Sequence, residues 1–207
     1  MLTSVALTLS VCLIASLGDA FLDITTKNLN RALIDSFTHG LVGLFSWAVV
    51  LVCSTNENII INRIFEVFLS GFLASFVDVD HFIYNRSLDI NSALQLGENR
   101  PLFHCTSLLL VTCAFPYIYS QVSGVAWLAR LSWLTLLSVL SHHIRDATRR
   151  GLWLWPFGST KALPKPVYLG LLAALPHTIC LCMRILDKQS YINFRNEAPH
   201  YSPAKIV

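Results

Sequence analysis

The sequence has few charged residues for its length. Only 13% of its 207 residues are Asp, Glu, Lys or Arg, whereas an average soluble domain has about 25%, and 54% are hydrophobic. The mean hydropathy is +0.57. This composition argues against an ordinary soluble domain and predicts a membrane protein whose main partner is the lipid bilayer.

The sequence also lacks the patterns that are typical of two common kinds of site. The 15 Lys and Arg are scattered and the net charge is only +3, so the basic patch typical of nucleic-acid binding is absent and no nucleic-acid partner is predicted. The cysteines show no C-x-x-C spacing, which indicates buried free thiols rather than a disulfide framework or a cysteine zinc site. They are Cys12, Cys53, Cys105, Cys113, Cys180 and Cys182.

The sequence does contain several long apolar segments. A helix needs about 20 residues to cross a bilayer, and residues 101–144 are long enough for two such helices with a turn near residues 120–124. The predicted spans are 2–18, 37–53, a third segment that ends at 78–81, the two helices within 101–144, and 167–183. The sequence therefore predicts an all-α polytopic membrane helix bundle of about six transmembrane helices. Residues 1–186 would form this single domain, and residues 187–207 a polar C-terminal tail.

The first apolar segment has one feature of a signal peptide, because Gly18 and Ala20 would suit a cleavage site. No Lys or Arg precedes the segment, however, and Asp19 lies between the two small residues. We therefore expect an uncleaved helix, followed by a polar loop or surface helix over residues 21–35.

The third apolar segment has ionisable residues at both ends. At its start, Arg63 and Glu66 are three residues apart and are expected to pair on one helix face. At its end lie Asp78, Asp80 and His81, and such groups at membrane depth pair with each other, face water or hold a cation. On helical spacing Asp78 and His81 share a face, whereas Asp80 points about 200° away unless the helix ends there. Asp78 and His81 are therefore the better ligand pair.

The order of the spans brings four polar clusters to one face of the membrane. In a six-helix arrangement the start of the second helix, the end of the third, the start of the fourth and the end of the fifth all emerge there. Their ionisable residues are His39, Asp78, Asp80, His81, His104, His142 and Asp146. Imidazole together with carboxylate favours zinc, manganese or iron over calcium, so a divalent metal, zinc or manganese first, is the predicted cofactor.

Each of these residues also has a simpler interpretation. A histidine at the start of a helix, such as His39 or His104, is commonly an interfacial residue, and His142 with Asp146 could be a hydrogen-bonded pair. Arg149 and Arg150, beside two tryptophans, could be an interfacial anchor or a phosphate clamp. We favour a metal site because the four clusters converge.

Over nearly its whole length the sequence resembles a small eukaryotic family called transmembrane protein 267. The resemblance is carried by an ordered series of motifs. They are SWAVV at 46–50, GFLAS at 71–75, DVDH at 78–81, RP at 100–101, HC at 104–105, SHHIRD at 141–146, GLW at 151–153 and PFG at 156–158.

More sparsely, the sequence resembles bacterial inner-membrane proteins of the YdjM type, which are regarded as metal-dependent hydrolases. The motifs of that family are an early His, D-x-D-H, H-R-x-x-T-H-S, and S-H-x-x-x-D followed by Gly and Pro. The matching residues are His39, Asp78, Asp80, His81, Arg100, His104, Ser141, His142, Asp146, Gly151 and Pro156. Asn99, Phe103 and Cys105 depart from the third motif, so a ligand of that family is replaced here. The resemblance implies metal-dependent hydrolysis but no particular substrate.

We therefore predict a multi-pass membrane protein that acts as a metal-dependent hydrolase at one membrane face. The candidate metal ligands are His39, Asp78, His81, His104 and His142. The candidate catalytic residues are Asp80 and Asp146, one of which would orient or deprotonate the attacking water. A lipid phosphate or phosphoester is the expected substrate, because the site would lie at headgroup depth beside Arg145, Arg149 and Arg150.

Two alternatives to this function stay open. The protein could be a non-catalytic membrane protein that keeps the His/Asp cluster for folding alone, as the change at Asn99 permits. It could also be an ion transporter, although a transporter should carry polar residues deep within several spans and most mid-span positions here are apolar.

The distribution of positive residues predicts the orientation in the membrane. Nine of the Lys and Arg lie in the connections on the side of the predicted site, which favours the cytosol for that side and the opposite compartment for both termini. They are Lys27, Arg31, Arg86, Arg100, Arg145, Arg149, Arg150, Lys161 and Lys165.

Overall fold

The structure, a computed structural model, describes residues 2–54, 63–94 and 100–186. The predicted polar tail and Asn99 lie outside these residues. The described chain forms α1 (Leu2–Ile24), α2 (Asn28–Ser54), α3 (Ile64–Phe76), α4 (Val79–Asn85), α5 (Ile90–Leu94), α6 (Thr106–Ser123), α7 (Ala126–Arg150) and α8 (Lys165–Leu186). A short 3-10 helix, Leu102–His104, precedes α6.

The all-α membrane fold is confirmed. Within the described residues α1, α2, α8 and the combined segment Ile64–Asn85 are long and apolar enough to cross a membrane. α6 and α7 form a helical hairpin whose turn contains Gly124 at φ 73°, within the predicted turn region. That these two helices also span the bilayer stays a prediction, since α7 carries many polar residues on its buried side.

α2 and α7 are the central helices of the bundle. α2 contacts α1, α3, α7 and α8, while α7 contacts α2, α3, α6 and α8. Trp47 of α2, Leu137 of α7 and Tyr168 of α8 are among the largest side chains buried between them. Many large apolar side chains, among them Phe68 and Phe115, point outward instead, as expected of a surface that faces lipid.

Small residues let α2 and α3 approach closely. A Cβ atom added at Gly43 would lie 2.6 Å from the Cβ of Ala74, and one added at Gly71 would lie 2.9 Å from the carbonyl oxygen of Gly40. Interfaces of small residues are a common way to pack membrane helices, because backbones can then touch. The contact places the start of α2, with His39, beside the end of α3.

The structure corrects the bounds expected for residues 21–35, which were predicted to form a loop or a surface helix between the first two spans. α1 continues to Ile24 and α2 already begins at Asn28, so only residues 25–27 connect them. The carboxylates of Asp19 and Asp35 can stay within helices because the buried Arg145 of α7 donates to both, at 3.0 and 2.5 Å.

α7 also extends beyond residue 144, the end of the segment predicted to contain it. It stops at Arg150 because Gly151 adopts a positive φ of 70°. A Cβ atom at that position would lie 1.9 Å from the carbonyl oxygen of Thr160, so only glycine fits. Arg100 donates to the carbonyl oxygens of Arg150 and Gly151 and so satisfies the end of the helix.

Other expectations are met in detail. Arg63 Nη1 lies 2.8 Å from Glu66 Oε1, so the predicted pair is confirmed. All six cysteines are free. His177 of α8 is exposed, with Nε2 lying 3.0 Å from Thr8 Oγ1.

Candidate metal centre

The break between α3 and α4 creates the acidic side of the site. The chain leaves α3 at Val77, and the backbone N–H groups of Asp80 and His81 bond three residues back, to the carbonyl oxygens of Val77 and Asp78. Because this turn is tighter than an α-helix, it changes the angle between the side chains of Asp78 and Asp80. Both carboxylates therefore reach the ring of His104. The sequence argument, which turned Asp80 away from Asp78, assumed a regular helix up to this point.

Four side chains from three segments converge on one point. The Nε2 atoms of His104 and His142 are 3.3 Å apart. Asp146 Oδ2 lies 3.4 Å from each of these nitrogens. Asp78 Oδ1 lies 3.7 Å from the Nε2 atom of His104 and 3.6 Å from that of His142. We call Asp78, His104, His142 and Asp146 the tetrad.

The other nitrogens of the two tetrad histidines are already used. His142 donates its Nδ1–H to the carbonyl oxygen of Ala74 at 2.8 Å, and a carbonyl can only accept. His104 Nδ1 lies 3.3 Å from Asp80 Oδ2, so a hydrogen there is donated to the carboxylate. In the neutral form of each ring, the hydrogen is therefore on Nδ1 and the free lone pair is on Nε2. Orientation of a ligand histidine by a carbonyl or carboxylate is typical of metal sites.

The tetrad therefore presents four acceptor atoms to each other. Two imidazole lone pairs and two carboxylate oxygens repel unless a cation lies between them. Ligand bonds of about 2.0–2.2 Å around a tetrahedral ion separate neighbouring ligands by about 3.3–3.6 Å. Five of the six separations within the tetrad are 3.3–3.7 Å, close to that range.

Burial adds to the need for a cation. The side chain of His142 is fully buried, and that of Asp80 is 5% exposed. Asp80 Oδ2 accepts from the backbone N–H of Phe103 at 2.7 Å as well as from His104, whereas its Oδ1 atom has no hydrogen-bond partner. The Nδ1 atom of His39 is also buried and has no hydrogen-bond partner among the described residues. Unsatisfied buried polar atoms are costly, and here they cluster around the tetrad.

His39 and His81 lie outside the tetrad. The His39 ring stacks on His142 with centroids 3.8 Å apart, and its Nε2 atom lies 3.3 Å from Asp146 Oδ1. The His81 ring lies 4.9 Å from that of His104, and its Nε2 atom lies 4.0 Å from Asp80 Oδ1. Asp78 and His81, expected to share a ligand face, thus belong to different groups of potential ligands.

A second group of potential ligands, Asp35, His39 and Asp146, is less suited to a metal. Asp35 already accepts from Arg145 at 2.5 Å and from Arg149 at 2.8 Å. Arg149 also lies 3.3 Å from Asp146 Oδ1. These guanidinium groups supply the positive charge that the carboxylates need, so the tetrad is the better cation site of the two.

The charge around His104 is visible in its pKa. Burial lowers the pKa of this ring, but hydrogen bonds with Asp146, Asp78 and Asp80 outweigh burial and raise it to about 11. Without a metal, His104 therefore carries a second proton at neutral pH. The cluster demands a positive charge at its centre, whether a proton or a metal ion supplies it.

Several supporting residues escaped the sequence argument. Tyr168 donates its hydroxyl to Asp19, which also pairs with Arg145, so α1, α7 and α8 meet behind the site. His143 lies 2.8 Å from the carbonyl oxygen of Phe103 and 3.1 Å from Thr106 Oγ1, and it fixes the 3-10 helix that carries His104. A signal for the first group was present, since Asp19 directly follows an uncharged apolar segment, residues 2–18.

The chain is similar to curated proteins named transmembrane protein 267. The protein from Danio rerio is 35% identical over 173 residues, which cover 80% of this chain and 73% of the relative. The protein from Mus musculus is 36% identical over 184 residues, covering 88% and 82%. The one from Bos taurus is 38% identical over 153 residues, covering 72% and 67%. No family model and no solved structure matches the chain.

Proposed function

The chain belongs to the transmembrane protein 267 family, and we propose that this membrane protein is a metal-dependent hydrolase with its metal centre at the cytosolic face. The observation that carries the proposal is the tetrad, in which the two histidine Nε2 atoms lie 3.3–3.7 Å from each other and from oxygens of Asp78 and Asp146, while both Nδ1 atoms already have partners. The short separations between its ligand atoms favour zinc, with manganese as the second choice.

In this proposal the ligand set differs from the one expected from the sequence. Asp78, His104 and His142 keep their ligand role, and Asp146 joins them instead of acting as a catalytic base. Asp80 orients His104, and His39 supports His142 and Asp146 from behind. A divalent cation held there would supply Lewis-acid activation of a water molecule or a substrate oxygen bound as a fifth ligand, because the four side chains already complete a tetrahedral set.

His81 is then the best candidate for proton transfer. It lines the cavity beside the tetrad, and its side chain is 24% exposed. A histidine within reach of a reacting group can accept a proton from water or donate one to the leaving group. The resemblance to YdjM-type proteins, which includes this histidine in its D-x-D-H motif, supports a hydrolytic role.

The test of the hydrolase is turnover that depends on the metal. Purified protein loaded with zinc or manganese should hydrolyse a phosphoester, and chelation should stop the reaction until metal is restored. His81→Gln should retain the metal and lower kcat by about 10²- to 10⁴-fold, the usual contribution of general acid–base catalysis. His177→Gln, an exposed histidine on the other half of the bundle, is the matched control and should change neither quantity.

A second function is favoured by the way the site joins the helices. Asp80 bonds to the backbone of Phe103, and His142 bonds to that of Ala74, so the cluster connects α3, α4, the 3-10 helix and α7. A non-catalytic protein could keep this cluster for stability. Metal-loaded protein that hydrolyses no phosphoester or amide, but unfolds when the metal is removed, would favour this function over the hydrolase.

The proposal that the site faces the cytosol rests on the distribution of positive residues between the two sides of the membrane. Of the described Lys and Arg, the nine on the side of the tetrad outnumber Arg63, Arg130 and Arg184 on the other side. A glycosylation acceptor inserted midway between α4 and α6 should remain unmodified, and a tag at the C-terminus should be protected from protease added to the cytosolic side. Sugar on the inserted acceptor would place the site in the lumen instead.

A further inference from the structure

A cavity of about 200 Å³ opens directly beside the tetrad. Its walls combine site residues with the end of α7 and the chain that follows. His104 and Asp146 form part of the wall on the tetrad side, and Leu152 and Trp153 supply an apolar wall. Pockets for drug-sized ligands measure about 300–1,000 Å³, so this cavity suits a small polar group rather than a whole large substrate.

Three arginines line the cavity: Arg100, Arg149 and Arg150. Among the lining residues that the structure describes, Asp146 is the one carboxylate, and it belongs to the tetrad. Arg145, which the sequence grouped with Arg149 and Arg150, is instead buried and pairs with Asp19 and Asp35. With a divalent cation in the tetrad, the cavity walls carry an excess of positive charge and favour an anion.

Arg149 is fixed in a way that prepares it for an anion. Its Nη1 and Nη2 atoms donate to the two oxygens of Asp35, each at 2.8 Å, and Nη1 also lies 3.3 Å from Asp146 Oδ1. A guanidinium group has five N–H donors, and these contacts use three. The side chain is 47% exposed. Asp35 is held in turn by Arg145, so the guanidinium group is positioned before any ligand arrives.

We infer that this cavity binds the phosphoryl group of a phosphomonoester, with Arg149 holding its oxygens next to the tetrad. The inference rests on the proposed function, since the metal supplies part of the charge that a dianion requires. A planar guanidinium group matches two phosphate oxygens, which a single-point cation does not. Arg149 is thus a residue that determines which substrate binds, and Arg100 and Arg150 add charge at the rim.

The surroundings of the cavity favour a lipid as the carrier of that phosphate. The hairpin after α7 is closed by bonds from the N–H of Leu154 to the oxygen of Gly158 and from the N–H of Thr160 to the oxygen of Leu152. Its tip exposes Trp155 and Phe157, at 65% and 89%. Such side chains suit the headgroup region of a bilayer, where a lipid phosphate lies.

The test begins with inorganic phosphate as the probe. Cobalt-substituted protein would be titrated with phosphate and the change in its visible spectrum recorded. Arg149→Gln should weaken phosphate binding by about 10- to 100-fold, in line with the loss of charge-assisted hydrogen bonds. Arg149→Lys, which keeps the charge and is more certain to fold, should show a smaller loss. Arg86→Gln is the matched control, because Arg86 is an exposed arginine on the same side, outside the cavity.

The outcomes separate this inference from the proposed function. Protein that binds no cobalt would contradict the metal centre itself. Protein that binds cobalt in all variants, with equal phosphate affinity in wild type and Arg149→Gln, would overturn the phosphoryl site and leave the metal centre intact. Two substrates then identify the source of the phosphate: vesicles containing a diacylglycerol phosphomonoester and a soluble phosphomonoester. If the protein prefers the vesicles, the phosphate belongs to a lipid. If it hydrolyses only the soluble compound, the phosphate belongs to a soluble phosphomonoester. Both results support recognition of the phosphoryl group.

Discussion

Both ends of the helical bundle contain buried charge, but the two ends treat it differently. Away from the tetrad, Glu66 accepts from Arg63 at 2.8 Å, from Arg130 at 3.3 Å and from Trp47 Nε1 at 3.2 Å. Both carboxylate oxygens therefore have donors. We call this group the Glu66 cluster. At the tetrad, by contrast, the four side chains supply only acceptor atoms to one another until a proton or a metal ion binds between them.

The difference shows that buried charge alone does not identify a functional site. Charged residues at membrane depth are costly in either place, and the Glu66 cluster meets the cost with its own donors. The tetrad offsets this cost only if a proton or a metal ion binds from solution. A count of donors and acceptors, rather than the presence of charge, is what distinguishes the two ends.

The largest expected effect follows from breaking the tetrad. His142→Gln should weaken metal binding by more than about 100-fold, because changes in the surrounding shell alone cost about 10- to 100-fold. Metal affinity would be measured by competition with a chromogenic chelator. Glu66→Gln should leave that affinity unchanged. If both variants lose the metal equally, the two ends are not independent and the contrast between them fails.

A change in the Glu66 cluster should act on stability instead. Glu66→Gln removes the charge that Arg63 and Arg130 share, and hydrogen bonds to charged groups contribute about 1.5–3 kcal/mol. The free energy of unfolding in detergent should fall by about that amount, as followed by tryptophan fluorescence. An unchanged unfolding transition would show that the cluster contributes little to holding α2, α3 and α7 together.

A smaller effect on the metal is expected from Asp80. Asp80→Asn keeps an acceptor for the N–H of Phe103 but removes the charge that orients His104. Metal affinity should fall by about 10- to 100-fold, less than for His142→Gln. Asp23→Asn, at an exposed aspartate on α1 at the same end, is the matched control. A loss as large as that of His142→Gln would place Asp80 among the ligands.

The sequence was sufficient to predict the convergence of the clusters but not their division into roles. The order of apolar segments placed His39, His104 and His142 at one end, because each reversal of the chain fixes the side on which the next helix begins. The roles of Asp80 and His81 depended on the turn at Val77, which no periodicity could reveal. The cavity depended on Gly151, whose need for a positive φ ends α7 and directs the chain back toward Arg100.

The last prediction, with the smallest expected effect, concerns the protons that are released when the metal binds. The pKa of His104 lies at about 11 without metal, well above the value of about 6.5 for a free histidine, so the ring keeps its extra proton throughout the neutral range. A metal ion can bind Nε2 only after that proton leaves. Metal binding at pH 7 should therefore release at least one proton, and the apparent affinity should rise by at least about tenfold per pH unit while His104 remains protonated. Calorimetry in two buffers with different ionisation enthalpies counts the protons directly. Glu66→Gln should release the same number as wild type, whereas binding without proton release would mean that His104 is already neutral or is not a ligand.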